Sequence, residues 1–299
     1  MISKDKDDKL VRIYCFVCDH FEELQFYCER FSNNNKPTFS DQEVMTIYLY
    51  TMQHEGHRKV KDIHRFANEY LKSWFPMLGS YQAFNNRLNR LSGAFTKLVE
   101  ILLTDYQPDD CCLDQSLLDS MPIITCSGKR SAKVAPEITD KGYCSTKGIY
   151  YYGLKMHLLG FRRIGKLPHP EQILFTPASI NDVTVFKEAW SGIENRTFFG
   201  DKIYFVNDLN EYMLKYQNSE MLSPVKAVKG MEDVIKQRIK AADDLYSTAV
   251  SRIRQPVESI FNWLIEKADI QKASKVRSIK GLMVHAFGRL AAVFITLAI

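Results

Sequence analysis

The sequence has no apolar leader at Met1, no internal repeat and no low-complexity tract. The first absence argues against export, and the second against solenoid or array architectures. The apolar run at 290–299 covers only ten residues. A bilayer crossing needs about twenty, so this run is expected to pack as a terminal helix with no membrane partner. Seven cysteines are an odd count for a disulfide framework, and free thiols in a reducing cytoplasm are expected instead. Cys15-Phe16-Val17-Cys18-Asp19-His20 has the look of half a zinc site. No second Cys/His pair follows at a finger-like distance, and the segment reads as an amphipathic helix carrying core cysteines. Charge is not strongly one-sided: the net value is +5 and the pI near 8.7. That suits a polyanionic partner without requiring one.

What is present is ordinary globular material. The chain has 299 residues, 45% hydrophobic and 25% charged, enough for two domains or one large one. Its front reads as helical. Leu10, Ile13, Tyr14, Val17 and Phe21 recur at helical spacing before the polar breaker 32–37. Ser40 and Glu43 form a capping-box pattern opening a second helix. A third is expected from Val60 to about Phe75, and Ser80 can cap a fourth over 81–91. The segment 107–110 looks like a linker.

Beyond Cys111 the texture changes. Strand-like runs occupy 111–119, 149–161 and 171–177, and a helix follows over 182–190. A short run at 196–200, a helix near 207–217, a strand at 219–224 and a long helical region at 233–268 complete the order βββαβαβα. Pro122 is expected to end the first strand just after Asp119.

Three carboxylates stand where chemistry could use them. Asp119 lies at the end of the first strand. Asp201 follows Gly200, where the backbone can turn tightly. Glu258 shares a helix face with Arg254 at i, i+4 spacing. Pro256 between those two reads as a kink or a first-turn position. Three convergent carboxylates from separate elements would meet the need of hard divalent cations for oxygen ligands. Three solvated surface charges are the alternative. Asp114 is left without a role beyond polar support.

Asp-Ser-Met-Pro at 119–122, Tyr-Tyr-Gly-Leu-Lys-Met-His at 151–157, Gly-Asp-Lys at 200–202 and Arg-xxxx-Val-Glu-xx-Phe over 252–261 resemble the bacterial insertion-sequence transposases of the DDE class. The resemblance covers about 111–290 well and the first hundred residues only in general character. It implies a ribonuclease-H-like α/β domain at 107–299, with a mixed five-stranded sheet flanked by helices. An all-helical region at 1–106 would precede it, for DNA-end binding, dimerisation or both. It further implies that Asp119, Asp201 and Glu258 hold two Mg²⁺ or Mn²⁺ ions, Asp119 bridging both, with Arg254 near the scissile phosphate. The partners implied are double-stranded DNA (terminal inverted repeats and target) and a second copy of the chain on DNA, with no small-molecule substrate. The location implied is the bacterial cytoplasm, at the nucleoid. Related families place a tyrosine seven residues before the glutamate and a lysine seven after. Here Ser251 and Ile265 stand at those positions, with Lys267 nearby.

Basic residues supply candidate DNA contacts. They are Lys129 and Arg130 between the first strands, Lys155 and His157 on the second, Lys202 beside Asp201, and Lys226 and Lys229 after the fifth. Arg252, Lys267 and Lys275 follow in the late helical tract. Such residues supply affinity without sequence information, and solvated charge is the alternative for each cluster. Arg87 and Arg90, with Asn85, Asn86 and Asn89, form either a major-groove recognition face or an ordinary polar helix face.

Overall fold

The computed structural model of the chain describes residues 4–29, 37–129, 134–145, 147–225 and 232–299. The front half is helical: α1 (Lys4–Asp19), α2 (Phe21–Leu24), α3 (Asp41–His54), α4 (Val60–Tyr70), α5 (Tyr81–Arg90) and α6 (Ser92–Thr104). Ser40 caps α3 in a full capping box. Its hydroxyl accepts from the Glu43 N–H at 3.2 Å, and the Glu43 carboxylate accepts from the Ser40 N–H at 2.5 Å. The Ser80 hydroxyl likewise accepts from the Ala83 N–H, starting α5. The third helix stops at Tyr70, short of Phe75, and the chain turns through Leu71–Phe75.

Among the described residues the sheet has six strands, one more than the sequence suggests: β1 (Cys112–Ser127), β2 (Asp140–Cys144), β3 (Ile149–Arg162), β4 (His169–Pro177), β5 (Thr197–Phe199) and β6 (Glu220–Leu222). The extra strand, β2, pairs antiparallel with the start of β3. A short helix, α7 (Asp182–Val185), runs on through a π turn to Trp190, and α8 (Asn207–Gln217) links β5 to β6. The long helix is two: α9 (Asp233–Arg254) and α10 (Pro256–Ala268). Pro256 occupies the first turn of α10, where its missing N–H leaves no hydrogen bond unmade.

β1 lies in the middle, antiparallel to β3 on one side and parallel to β5 on the other. It does not end at Pro122; it runs to Ser127, with Pro122 opposite Lys155. Ile124, two residues on, turns its N–H and C=O away from β3 towards Gln271 and Ala273. Pro122 shares that direction. Its nitrogen therefore faces a stretch of β1 that β5 no longer covers, and no ladder bond is lost.

The C-terminal apolar segment is longer than the ten residues the sequence suggests. It forms α11 (Ile279–Met283), a π turn (Val284–Gly288), α12 (Arg289–Phe294) and a 3₁₀ turn (Ile295–Leu297). By length and composition Ile279–Leu297 could cross a membrane, but 67% of its apolar window is buried inside the protein. Leu282, Leu290, Ala291, Val293 and Phe294 share one core with α1, α3, α6, β1, β3 and α10. The Arg289 guanidinium ties this segment to the Asp269 carbonyl at 2.9 Å and to the Arg58 carbonyl at 2.8 Å. A second core, around Leu118, Leu159, Phe186, Trp190, Phe198 and Tyr204, fills the other face of the sheet.

Candidate active site

Two parallel strands bring the first two carboxylates together. β1 and β5 are paired in register, Leu117 opposite Phe199. Asp119 and Asp201 each stand two residues beyond that pair, at matching positions past the end of β5. Asp119 is not at the strand's end; it is held within β1, opposite Leu158 of β3. The interior of a sheet fixes its direction more firmly than a strand end would. Gly200 is required for a reason other than a left-handed turn. A Cβ there would stand 2.9 Å from the Tyr204 ring, so the glycine lets that ring close over the joint.

The third carboxylate arrives from the helical side. Arg254 closes α9 and Glu258 lies in the first turn of α10. One guanidinium spans two carboxylates: Arg254 Nη1 donates to Asp119 Oδ2 at 2.9 Å, and Nη2 donates to Glu258 Oε1 at 2.8 Å. Asp119 Oδ1 accepts from the Ser120 N–H at 2.8 Å. Burial still pushes the Asp119 carboxyl up to about 6, against the pull of the Ser120 N–H and Arg254, and the charges of Asp182 and Glu258 push the same way as burial. Asp201 is exposed, and its Oδ1 accepts from the Lys202 N–H at 2.7 Å.

Two participants were not singled out from the sequence. The Tyr204 hydroxyl is buried without a hydrogen-bond partner among the described residues. Burial, then the charges of Asp182, Asp119 and Asp201, push it well above the usual phenol range. Asp182, the first residue of α7, forms an ion pair with Lys155 Nζ at 3.1 Å, and its carboxylate lies 3.4 Å from Nδ1 of the buried His157. The available signal was an acidic residue directly after the capping Asn181, but spacing alone does not say that α7 begins beside Asp119.

The donor set suits a hard divalent cation, because every group is a carboxylate oxygen and Asp119 carries buried charge that Arg254 offsets only in part. Among the described residues no three His, Cys, Asp or Glu side chains already stand close enough to form a metal cluster. In this arrangement Arg254 spans the space between Asp119 and Glu258. The Cys15-Cys18-His20 segment is engaged otherwise. His20 Nδ1 meets the Phe16 carbonyl at 2.9 Å and Nε2 the Tyr106 hydroxyl at 3.3 Å. Cys15 is exposed rather than a core residue, and none of the seven cysteines forms a disulfide among the described residues.

The family model for the transposase DDE domain matches residues 111–295. The chain belongs to the DDE transposase family. The match takes in Asp119, Asp201, Arg254 and Glu258 and stops short of the front helices. No curated protein and no solved structure matches the chain. The mixed sheet with flanking helices and a helical front is consistent with the ribonuclease-H-like architecture of DDE transposases.

The basic residues of this transposase fall into three groups. Lys129, Lys202, Arg252, Lys267 and Lys275 are exposed, as is Arg90 at the end of α5. Lys155, His157 and Arg87 are drawn into the protein. His157 is fully buried, with Nε2 2.8 Å from the Thr176 hydroxyl. Arg87 Nε donates to Asp41 at 2.6 Å and Nη1 to the Phe39 carbonyl. Arg130, Lys226 and Lys229 lie outside the described residues. Asp114 is exposed near the start of β1.

Proposed function

We propose that the chain is a DNA transposase that cuts the ends of an insertion sequence and joins the released strands to target DNA. One observation carries this reading: Asp119, within β1, and Asp201, just past β5, occupy matching positions on adjoining parallel strands, and Arg254 binds Asp119 and Glu258 at once. Asp119, Asp201 and Glu258 would hold two Mg²⁺ or Mn²⁺ ions, which when bound supply a nucleophile at neutral pH and charge stabilisation for the leaving oxygen. Water, and then a DNA 3′-hydroxyl, would attack phosphodiesters in line, with no bond between protein and DNA. Arg254 orients two of the three ligands and carries positive charge next to the scissile phosphate. The exposed cations Lys129, Lys202, Arg252, Lys267 and Lys275 would take backbone phosphates. Residues 1–106 would bind the element ends, mediate dimerisation, or both, with Arg90 on the outer face of α5.

The test uses a supercoiled plasmid carrying the gene with its flanking DNA, incubated with Mg²⁺ or Mn²⁺. Asp119→Asn, Asp201→Asn and Glu258→Gln are each expected to abolish cleavage while leaving binding to flanking-sequence duplexes within a few-fold of wild type. Cleavage that survives one substitution removes that residue from the site. Cleavage by the wild type without joined products leaves a metal-dependent nuclease of the same fold, and binding without cleavage leaves a non-catalytic descendant.

A further inference from the structure

Beside the three carboxylates a fourth one is held in an unusual way. Lys155 Nζ reaches the Asp182 carboxylate at 3.1 Å and donates to the Ile180 carbonyl at 2.8 Å. His157 Nδ1 lies 3.4 Å from Oδ1, the same Asp182 oxygen that Lys155 reaches, a close approach without a formed hydrogen bond. The imidazole's other nitrogen lies 2.8 Å from Thr176 Oγ1, and that hydroxyl is a longer 3.3 Å from the Pro177 carbonyl. In the tautomer whose Nε2 accepts from the Thr176 hydroxyl, Nδ1 carries a hydrogen directed at Asp182. Burial pushes His157 down to about 4, which keeps it in that neutral form. Thr176, His157 and Asp182 thus form an ordered row leading from the interior to the Lys155 ammonium.

The row ends in solvent. Lys155, Asp182 and Asn181 line an open cleft of about 570 Å³, together with Lys141, Tyr150 and Ile203. Ile203 is two residues from Asp201, and Asp182 is near enough to Asp119 for its charge to act there. A pair kept only for stability gains little from such a place, because a partly buried ion pair loses in desolvation much of what it gains in attraction. An ammonium has three N–H donors. Lys155 donates one to the Ile180 carbonyl and pairs by charge with Asp182 Oδ1, which leaves donor capacity for the cleft.

We infer that Asp182 is a positioning residue, which holds the Lys155 ammonium on the cleft floor beside Asp119 and Asp201 so that its remaining N–H takes a phosphate oxygen of the bound DNA strand. The inference rests on the reading of this site as one that cuts DNA. His157 is the buried anchor of Asp182, and its contribution to DNA is made through Lys155 rather than by touching the strand. Asp182 itself touches neither DNA nor the reacting atoms.

Asp182→Asn, Lys155→Met and the double variant test this in the full chain with two readouts: plasmid cleavage in Mn²⁺, and the salt dependence of binding to a short duplex of the flanking sequence. Asp182→Asn leaves the Lys155 charge in place but unheld. It is expected to lower kcat on the order of 10²-fold with KM for DNA changed little and the salt slope unchanged. Lys155→Met is expected to reduce the slope by about 0.9, one phosphate contact. The double variant is expected to cleave no more slowly than Lys155→Met alone, and Asp182→Glu to recover part of the lost kcat. If Asp182→Asn does not fold, as judged by its thermal transition, the same comparison is made with Asp182→Glu in both backgrounds. Losses that add in the double variant, an unchanged slope in Lys155→Met, or wild-type cleavage by Asp182→Asn would each overturn the inference. A wild-type protein that cuts no plasmid at all overturns the functional reading, and this inference with it. A cutting wild type with an unaffected Asp182→Asn overturns the inference alone.

Discussion

Asp119 shows how far a single side chain can be placed against its own solvation. Its carboxyl is pushed from 3.8 up to about 6 because burial and the nearby charges of Asp182 and Glu258 outweigh the Ser120 N–H and Arg254. A carboxyl raised in the folded state contributes stability below its unfolded value of 3.8 and loses it as the pH rises through about 6. At pH 7 the ionised group is therefore a net cost to the fold. Asp119→Asn removes that cost and is expected to stabilise the protein by about 1–2 kcal/mol at pH 7, measured by urea unfolding without divalent ions. Mg²⁺ or Mn²⁺ should raise the melting temperature of the wild type more than that of the variant. A variant less stable than wild type, or one that gains as much from the ions, would show that Asp119 is not the strained ligand described. The same balance explains why Arg254 bridges two carboxylates, since a buried carboxylate next to others needs a cation of some kind.

At the scale of elements, the joint between β5 and the loop carrying Asp201 decides the site. Gly200 has an ordinary backbone there, and its service is to admit the Tyr204 ring. Gly200→Ala places a Cβ 2.9 Å from that ring, so the ring or the joint must shift. Cleavage is expected to fall at least about tenfold while flanking-duplex binding holds; wild-type cleavage in Gly200→Ala would show that the joint tolerates displacement. Much of this arrangement was legible beforehand. Ser40 and Ser80 announced their helices through local side-chain-to-backbone bonds, and Pro256 announced the break that sets Arg254 and Glu258 on facing turns. Asp119, Asp201 and Glu258 were singled out by motif, and in the register of β1 and β5 two of them stand side by side. What stayed hidden depended on partners far along the chain. Pro122 looked like a strand terminator because nothing local reveals that its missing N–H faces an uncovered edge. β2 escaped because five residues with a central glycine carry too short a pattern. His157 read as a surface cation because its burial comes from β4 and α7, and Asp182 read as a helix start because its neighbours are on β3.

For the whole molecule, buried histidines set the response to acid. His285 accepts no easy proton: burial pushes it down to about 3, with Arg289 beside it adding to the effect, although the Ile270 carbonyl at 2.7 Å pulls the other way. His157 is pushed down to about 4, also by burial first, and His54 and His169 move in the same direction. The unfolded chain takes these protons near 6.5 while the folded one refuses them, so stability falls as the pH drops from 6.5 towards 4. Asp119 opposes this between about 6 and 3.8, but one carboxyl does not cancel two histidines. The protein is expected to lose roughly 2 kcal/mol between pH 7 and pH 5, read as a falling melting temperature; a transition that holds or rises towards pH 5 would contradict the burial of these rings. The shared core has a consequence of another kind. Leu290, Ala291 and Phe294 cover apolar surface that belongs to α3 and α6. A ribosome making this chain delivers that cover nearly two hundred residues after the helices that need it. The front helices therefore complete their core only after α12 has been made, and a chain ending in α10 leaves that apolar surface bare.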